Sequence, residues 1–475
     1  MEKEGYGWKG TFFQFVAAIT ANLLAITDGM TIGWTAPMIP YFMSEKTHIK
    51  MTRSQADWLE NFPLIGSIVG LPFTMHLVDK IGRRKSLMFS AFVMTLCWIV
   101  IAVADRVEYL YVARAVKGFG LNIAYVAAPM YVGEISHKKI RGFLSSSIFV
   151  LMLVGILIIY SVGPFVAFFV PSVIAGSLLL SELVIFFFLP ESPYYLLMRN
   201  QTDDARKSLH RFRNNPATVE QELKEMKDSI EKDQKEEKSS LWDIFLVQSY
   251  RKPLIIIFVL NSAQLLSGFD VILMNMHEIL ESAGTNYVDP SFTAIIFSAF
   301  MLVASTVASL TIDKFGRKVL LIVSSLLTGV CLLILASYLN MKHSGYNVES
   351  VSWIPIVTVM AYAASFKSGV GLVPIVLTAE IFSAKIKAAS MCLADAVYVG
   401  SSMVALQLYF VLKEYSGMHV PFYVFCCFTF LNSLFVWFFV PETKGKSLDE
   451  IQNIFGNEVP ENPEETVELV SAKIL

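Results

Sequence analysis

VDKIGRRK (Val78–Lys85) and TIDKFGRK (Thr311–Lys318) carry the same order of aspartate, lysine, glycine and arginine, and each follows a long apolar run. The correspondence continues down the chain. EISHKKIR (Glu134–Arg141) matches EIFSAKIK (Glu380–Lys387), and LPESP (Leu189–Pro193) matches VPETK (Val440–Lys444). Three paired signatures in one order mark a duplicated unit, the pattern of membrane folds built from two halves with a solute site between them near the midplane.

Composition names the solvent. Of 475 residues, 55% are hydrophobic and 16% charged, with a mean hydropathy of +0.55, a balance that places most of the chain in a lipid bilayer. A net charge of −2 lacks the basic excess that nucleic-acid binding needs, so no nucleic-acid partner is expected. The five cysteines, Cys97, Cys331, Cys392, Cys426 and Cys427, stand inside apolar runs and read as small buried hydrophobes rather than a disulfide framework. Stretches long enough to cross about 30 Å of hydrocarbon number twelve: residues 10–36, 57–77, 86–104, 109–133, 143–165, 168–189, 252–279, 290–311, 318–339, 353–379, 388–412 and 419–440. The first is too long for the apolar part of a secretory signal and no cleavage site follows it, so it reads as a retained span.

Lysine and arginine concentrate in alternate connections: Lys80, Arg83, Arg84 and Lys85; Lys138, Lys139 and Arg141; Lys314, Arg317 and Lys318. The connection 280–289 has none, and that bias predicts both termini and the basic loops in the cytoplasm, with Lys46, Lys50 and Arg53 of the 41–56 loop as the exception. The expected fold class is an all-α membrane protein, with twelve transmembrane helices in two pseudo-symmetric six-helix bundles. The bundles occupy 1–196 and 252–445, separated by a cytoplasmic linker at 197–251 and followed by a tail at 446–475. In the linker, Thr202 can cap a helix with Asp203 and Asp204 in its first turn, and Thr218 with Gln221 forms a capping-box pattern before Val219, Leu223, Met226 and Ile230. A flexible charged stretch through 231–240 is the alternative there. Ser447 with Glu450 repeats the capping pattern, and the acidic tail from Glu458 reads as disordered.

PESPYYLL after the sixth span and PETKGKSLDEI after the twelfth, added to the paired motifs, resemble the sugar-porter branch of the major facilitator superfamily over nearly the whole chain. GWTAP (Gly33–Pro37) and the short loops look most like the insect facilitated trehalose transporters and their relatives. The resemblance implies alternating access to a central polar cavity, a small-molecule solute, with a sugar as the leading candidate, as partner, the plasma membrane as location, and no cofactor. Asp79 with Arg83 and Arg84, Glu134 with Arg141, and Glu191 form one charged set at inner helix ends; Asp313 with Arg317 and Lys318, Glu380 with Lys387, and Glu442 form the other. Pairing within and between the sets would latch the inner side, and the resemblance adds Arg114 to the first. Simple positive-inside anchoring is the alternative. Met75 stands where the family usually has glycine.

AQLLSGFDVILMN (Ala263–Asn275) holds the expected solute-binding amides. The resemblance assigns sugar contacts to the positions of Gln264 and Asp270, with Asn275 and Tyr398 as further candidate contacts, although the pattern's second glutamine is absent and its asparagine has become Asp270. An ideal helix puts Gln264, Gly268 and Asn275 on one face and Asp270 elsewhere, so both can line a cavity only if the helix bends or unwinds near Gly268. Phe149 replaces a customary glutamine, the tenth span has lost most of its proline pattern, and Tyr398 with Val399 replace an asparagine and the stacking tryptophan. Against these losses stand four ionisable residues at membrane depth, Asp28, Asp270, Lys367 and Asp395, which cost several kcal/mol to bury and face a cavity or a partner. They admit two readings: proton coupling or binding of a charged or zwitterionic solute, and a structural Lys–Asp pair in an ordinary sugar cavity. A non-transporting nutrient sensor is the alternative of a different class. No Ser/His/Asp arrangement or metal-ligand cluster is present in the sequence, and GFG (Gly118–Gly120) lacks the context of a dinucleotide site, so no enzyme and no metal are expected.

Overall fold

A chain in hydrocarbon must satisfy every backbone N–H and C=O within itself, which leaves helices as the economical solution for apolar stretches of this length. The computed structural model describes residues 8–213, 215–235, 248–284, 289–381 and 384–444, and contains no strand among them. The first span is α1 (Trp8–Ala21), α2 (Leu23–Gly33) and α3 (Thr35–Met43), followed by α4 (Arg53–Ile81), α5 (Arg83–Val103), α6 (Val107–Ile135), α7 (Lys138–Val162) and α8 (Val170–Phe188). The linker forms α9 (Pro193–Met198), α10 (Thr202–Arg213) and α11 (Pro216–Lys235). The second half comprises α12 (Gln248–Leu266), α13 (Phe269–Met274), α14 (Met276–Ala283), α15 (Pro290–Phe315), α16 (Arg317–His343), α17 (Ile354–Ser368), α18 (Val373–Ile381), α19 (Ala384–Ser416) and α20 (His419–Phe439).

Ten helical segments are long and apolar enough to cross a membrane by length and composition. α4 and α6 are not among the ten. At 29 residues apiece they are about 43 Å long, ample for a crossing, and they bring the helical passes among the described residues to twelve. Phe187, Phe188, Val303 and Trp437 are each more than 60% exposed, an apolar outer surface suited to lipid rather than water.

Besides the first span, divided at Asn22 and Trp34, two further spans read as single apolar runs are broken. The seventh divides into α12, α13 and α14, and the tenth into α17 and α18. Gly268 takes φ +81°, a left-handed conformation open to glycine at little cost, and stops α12 two residues past Leu266. In the tenth span, a Cβ on Gly369 would strike the Leu320 carbonyl and the Ser324 side chain of α16.

Small residues set how closely the helices cross. Gly29 of α2 and Gly155 of α7 face each other so tightly that a Cβ on either would enter the other helix's backbone, at Met152 O and Ile26 O. Gly118, in the GFG stretch, stands in the same relation to the Pro63 carbonyl of α4, a packing use of glycine. The linker helices bury Val219, Leu223 and Ile230 against Leu197, Ala205 and Leu209. Here two boundaries differ from the sequence reading: α10 begins at Thr202 itself, with the Ala205 N–H on the Gln201 carbonyl, and α11 begins at Pro216, with the Val219 N–H on the Asn215 carbonyl, so Thr202 and Thr218 lie inside the first turns rather than capping them. Proline at a first helical position gives up an N–H that has no partner there in any case. Ser447, Glu450 and the tail from Glu458 lie outside the described residues, as do 236–240, while 231–235 of the charged stretch continue α11.

The close crossing predicts a contrast between two glycines. Gly155→Ala should lower stability by ~1–3 kcal/mol through overpacking, read as an earlier thermal unfolding midpoint in detergent. Gly176→Ala, where a Cβ meets nothing within 4 Å, should leave it unchanged; equal effects would refute the crossing geometry.

Candidate functional site

The duplicated motifs meet at the same kind of bond in both halves. Glu191, from LPESP, accepts the backbone N–H of Arg84 at 2.9 Å at the start of α5, and Glu442, from VPETK, accepts those of Arg317 and Lys318 at 2.9 and 3.0 Å at the start of α16. Each carboxylate thus sits on a helix N-terminus, where unpaired N–H groups and the helix dipole favour negative charge. Gly82 (φ +99°) and Gly316 (φ +86°) make room: a Cβ at either would collide with the carboxylate opposite. Burial alone raises the Glu442 carboxyl, but N–H bonds from Lys444, Arg317, Lys318 and Thr443 outweigh it and hold it below its usual 4.5.

This differs from the pairing expected. Glu191 and Glu442 bind backbone rather than guanidinium groups. Glu134 pairs with Arg83 at 3.1 Å and takes the Ser192 hydroxyl, while Arg83 also reaches Asp79 at 3.6 Å. Arg141 is exposed and donates to the Ser136 carbonyl at 3.4 Å instead of pairing with Glu134. Arg114 does not belong to this face at all. It lies twenty residues before Glu134 on α6, about 30 Å away along the axis, buried beneath the Trp34 ring with bonds to the carbonyls of Leu59 and Thr31. The side chains of Asp313, Glu380, Lys387, Met75, Lys138 and Lys139 lie outside the described residues.

The second polar region is central. Gln264 is buried at the end of α12 and donates to the Gly371 carbonyl at 3.4 Å, and the Tyr362 hydroxyl of α17 donates to the Ser267 carbonyl at 3.2 Å. The broken seventh and tenth spans therefore satisfy each other's backbone. Asp270, just past the break, accepts a hydrogen bond from Ser402 of α19. Lys367 makes no ion pair with it; its ammonium lies 4.5 Å from the Phe269 ring centre and 5.6 Å from that of Phe366, a cation–π arrangement. Lys367 and Asp270 thus lie within electrostatic range of each other without an ion-pair contact, and their direct contacts are Asp–Ser and Lys–aromatic. From the first half, Asp28 accepts from Tyr125 at 2.5 Å. Tyr398 lies within electrostatic range of Asp28, Asp270 and Asp395 together, and Asp395 is accessible to solvent although surrounded by protein.

Polar bridges between the halves complete the geometry. Asn275 donates to Glu60 of α4 at 3.1 Å, the Tyr160 hydroxyl of α7 bonds to the Leu273 carbonyl, and Glu278 of α14 holds both Arg53 of α4 and Lys413 of α19, the latter at 3.2 Å. All three lie toward the face opposite the basic loops. Among the described residues no group of three or more His, Cys, Asp or Glu is placed to hold a metal ion.

A family model described as "Sugar (and other) transporter" matches residues 13–455. The chain belongs to that family. It is 29% identical over 447 residues to the facilitated trehalose transporter of Polypedilum vanderplanki, covering 93% of this chain and 88% of the relative. It is 28% identical over 445 residues to the Culex quinquefasciatus protein of the same name, covering 94% and 86%. Among solved structures it resembles the major facilitator superfamily proton:xylose symporter bound to 6-bromo-6-deoxy-D-glucose (TM-score 0.71, 22% identity, 94% of this chain and 99% of that one). It also resembles a partially occluded inward-open form of the E. coli xylose transporter (TM-score 0.74, 21% identity, 92% and 99%). The shared fold is that of the major facilitator superfamily, and the protein is a membrane transporter.

Several residues of this transporter's site escaped sequence reasoning. Glu60 and Lys117 are wholly buried in α4 and α6, with Lys117 Nζ 3.1 Å from the Trp98 ring centre, and Glu182 of α8 is buried with neither carboxylate oxygen bonded. Their signal was present as charge within apolar spans, the one that singled out Asp28 and Lys367. Nothing in the structure explains Glu182. Arg53, Glu278 and Lys413 lay at span ends, where charge is ordinary, and only their convergence sets them apart.

Two outcomes follow. Because the Glu442 carboxyl is held below 4.5, its stabilisation is complete above that pH and is lost as pH falls through the depressed folded value. Thermal unfolding of wild type and Glu442→Gln should therefore differ most near neutrality and converge in acid; a constant gap would refute the cap. Glu278→Gln leaves Lys413 without its ion-pair partner and Arg53 with Asp57 alone, at 3.3 Å. Partly exposed pairs are worth ~0.2–1 kcal/mol, so a cysteine placed at the buried Met276 should react with an impermeant maleimide about two- to fivefold faster, and an unchanged rate would show that Glu278 does not hold the face closed.

Proposed function

We propose that the protein is a facilitated carrier of a neutral sugar, trehalose or a hexose, working by alternating access in the plasma membrane with both termini and the basic loops in the cytoplasm. One observation carries the substrate class. Gln264 Oε1 and Asn275 Oδ1, on either side of the break in the seventh span, and Glu60 Oε1 across the interface are buried acceptors with no hydrogen-bond partner. Buried acceptors without partners are costly, and hydroxyl donors of a polyol satisfy them.

The outer bridges support a form closed on the side opposite the basic loops. In it Asn275 serves both the solute and the closure, because its amide donates to Glu60 while its oxygen is free to accept. Tyr398 offers a phenol in place of the stacking indole, which suits a weaker, less face-selective contact. In this reading Arg83, Glu134 and Asp79 brace the inner ends of the first half, with Glu191 and Glu442 fixing helix starts, and the latch between halves falls to Glu380, Lys387 and Asp313.

A second reading, proton-coupled transport, is favoured by Asp28, Asp270 and Asp395 converging on Tyr398 with no ion-paired base among them.

Labelled trehalose and glucose uptake into proteoliposomes, with and without an inward proton gradient, tests both. Saturable, gradient-independent uptake is expected, with Gln264→Leu raising KM about tenfold for the loss of one hydrogen bond and Asp270→Asn leaving pH dependence unaltered. Gradient-driven accumulation abolished by Asp28→Asn or Asp270→Asn would establish the second reading, and no uptake of either sugar by folded protein would overturn the first.

A further inference from the structure

Beneath the sixth span, away from the central site, an open cleft of about 1330 Å³ lies between the start of α5, the end of α8 and the linker helices α9 and α10. Five permanent cations line it, Arg84, Lys85, Arg199, Lys207 and Arg211, together with His210, against two acids, Glu191 and Asp204. Neither acid is free to neutralise the group as a whole. Glu191 Oε1 is occupied by the backbone N–H groups of Arg84 and Ser192 and its Oε2 is buried with no cation bonded to it, while Asp204 offsets one of the five cations, Lys207, at 3.2 Å.

Capping of α8 accounts for part of the basic lining. Arg84 and Arg211 each send one N–H to the last carbonyls of that helix, Phe187 O at 3.5 Å and Phe188 O at 3.1 Å. A guanidinium has five N–H donors, so most remain for another acceptor, and Arg84 Nε is buried with no partner. Lys85 makes no ion pair among the described residues and is exposed. Arg199 likewise donates to the carbonyls of Asp79 and Lys80; carbonyls are neutral, so these bonds hold the guanidinium groups in place without cancelling their charge.

The wall of the cleft identifies the source of its anion. Phe187 and Phe188 line it, and both are 69% exposed at the final turn of a membrane-spanning helix. A ligand reaching the cations has hydrocarbon-facing aromatic surface beside it, which a soluble anion would not use and an acyl chain would. Basic pockets at the membrane edge of helical bundles recognise phospholipid headgroups on this principle.

We propose that this cleft binds the headgroup of a polyanionic phospholipid, one bearing phosphomonoesters on an inositol ring, with the acyl chains running along Phe187 and Phe188. Several cations spread around an open cleft match a headgroup with more than one phosphate better than the single charge of phosphatidylserine. Such a lipid would tie the linker helices to the first bundle, since Lys207 and Arg211 lie on α10 and Arg84 and Lys85 on α5. The cytoplasmic orientation proposed above supplies the source of the lipid; binding to purified protein does not depend on it, so failure of that orientation and failure of this site are separable.

The full-length protein in phosphatidylcholine nanodiscs is titrated with short-chain phosphatidylinositol bisphosphate, short-chain phosphatidylserine and free inositol trisphosphate, with thermal stabilisation and native mass spectrometry as readouts. Saturable binding of the inositol lipid is expected, tighter than that of either comparator. Lys85→Gln with Lys207→Gln removes two charges without touching the carbonyls of α8 and should weaken it about thirtyfold. Arg84→Gln with Arg211→Gln should weaken it at least as much, and Lys46→Gln with Lys50→Gln, on the opposite face, should not. Equal affinity for free inositol trisphosphate would overturn the lipid assignment, equal affinity for phosphatidylserine would overturn the polyphosphate assignment, and binding unaffected by both cleft variants would overturn the site.

Discussion

Hydrocarbon offers a backbone no substitute for the hydrogen bonds it makes to itself, so a helix can break at membrane depth only where another part of the protein serves the exposed groups. Two breaks serve each other here. Gln264 of the seventh span reaches the Gly371 carbonyl in the tenth, and Tyr362 of the tenth reaches the Ser267 carbonyl in the seventh, while the Val370 N–H finds Ser324 of the ninth at 3.0 Å. The unwound turns therefore exist as a pair. Their mutual satisfaction turns Asp270 toward Ser402 and leaves the oxygen of Gln264 unpartnered at the heart of the molecule. Without that exchange the seventh span would be a continuous helix, with Asp270 and Gln264 on different faces.

Duplication fixes the outer frame of the two halves and leaves their interior chemistry free. Glu191 and Glu442 occupy equivalent positions and do the same work, placing charge on the first N–H groups of α5 and α16 beside glycines with positive φ. Inside, the halves diverge. The first buries Glu60, Arg114, Lys117 and Glu182, while the second carries Lys367 against stacked Phe269 and Phe366, whose ring centres are 4.4 Å apart. A solute site formed between unequal halves can present different groups to each end of its ligand. The same inequality explains why the closure opposite the basic loops depends on Glu278 gathering one cation from each half.

The order of spans, the linker, the capping glutamates' positions and the weak point at Gly268 were legible in the sequence, because each rests on local properties: run length, charge within a run, a glycine between polar residues, a motif repeated in order. Partner choice was not. Glu134 takes Arg83 instead of Arg141, Arg114 lies about 30 Å along α6 from the set it was expected to join, and Lys367 contacts aromatic faces while meeting Asp270 only at electrostatic range.

Hydropathy and periodicity determine that a segment becomes a helix and roughly where it ends, since those depend on neighbours a few residues away. They leave open how each helix is rotated about its axis and how far it slides along its neighbour. That is decided by close crossings such as Gly29 against Gly155, where missing side chains let the backbones of α2 and α7 meet. Rotation and depth bring Glu60 to Asn275 across 215 positions of chain and Arg53 to Glu278 across 225. Only the packed molecule brings such pairs together, because each bond joins groups whose separation along the chain carries no information about their separation in space.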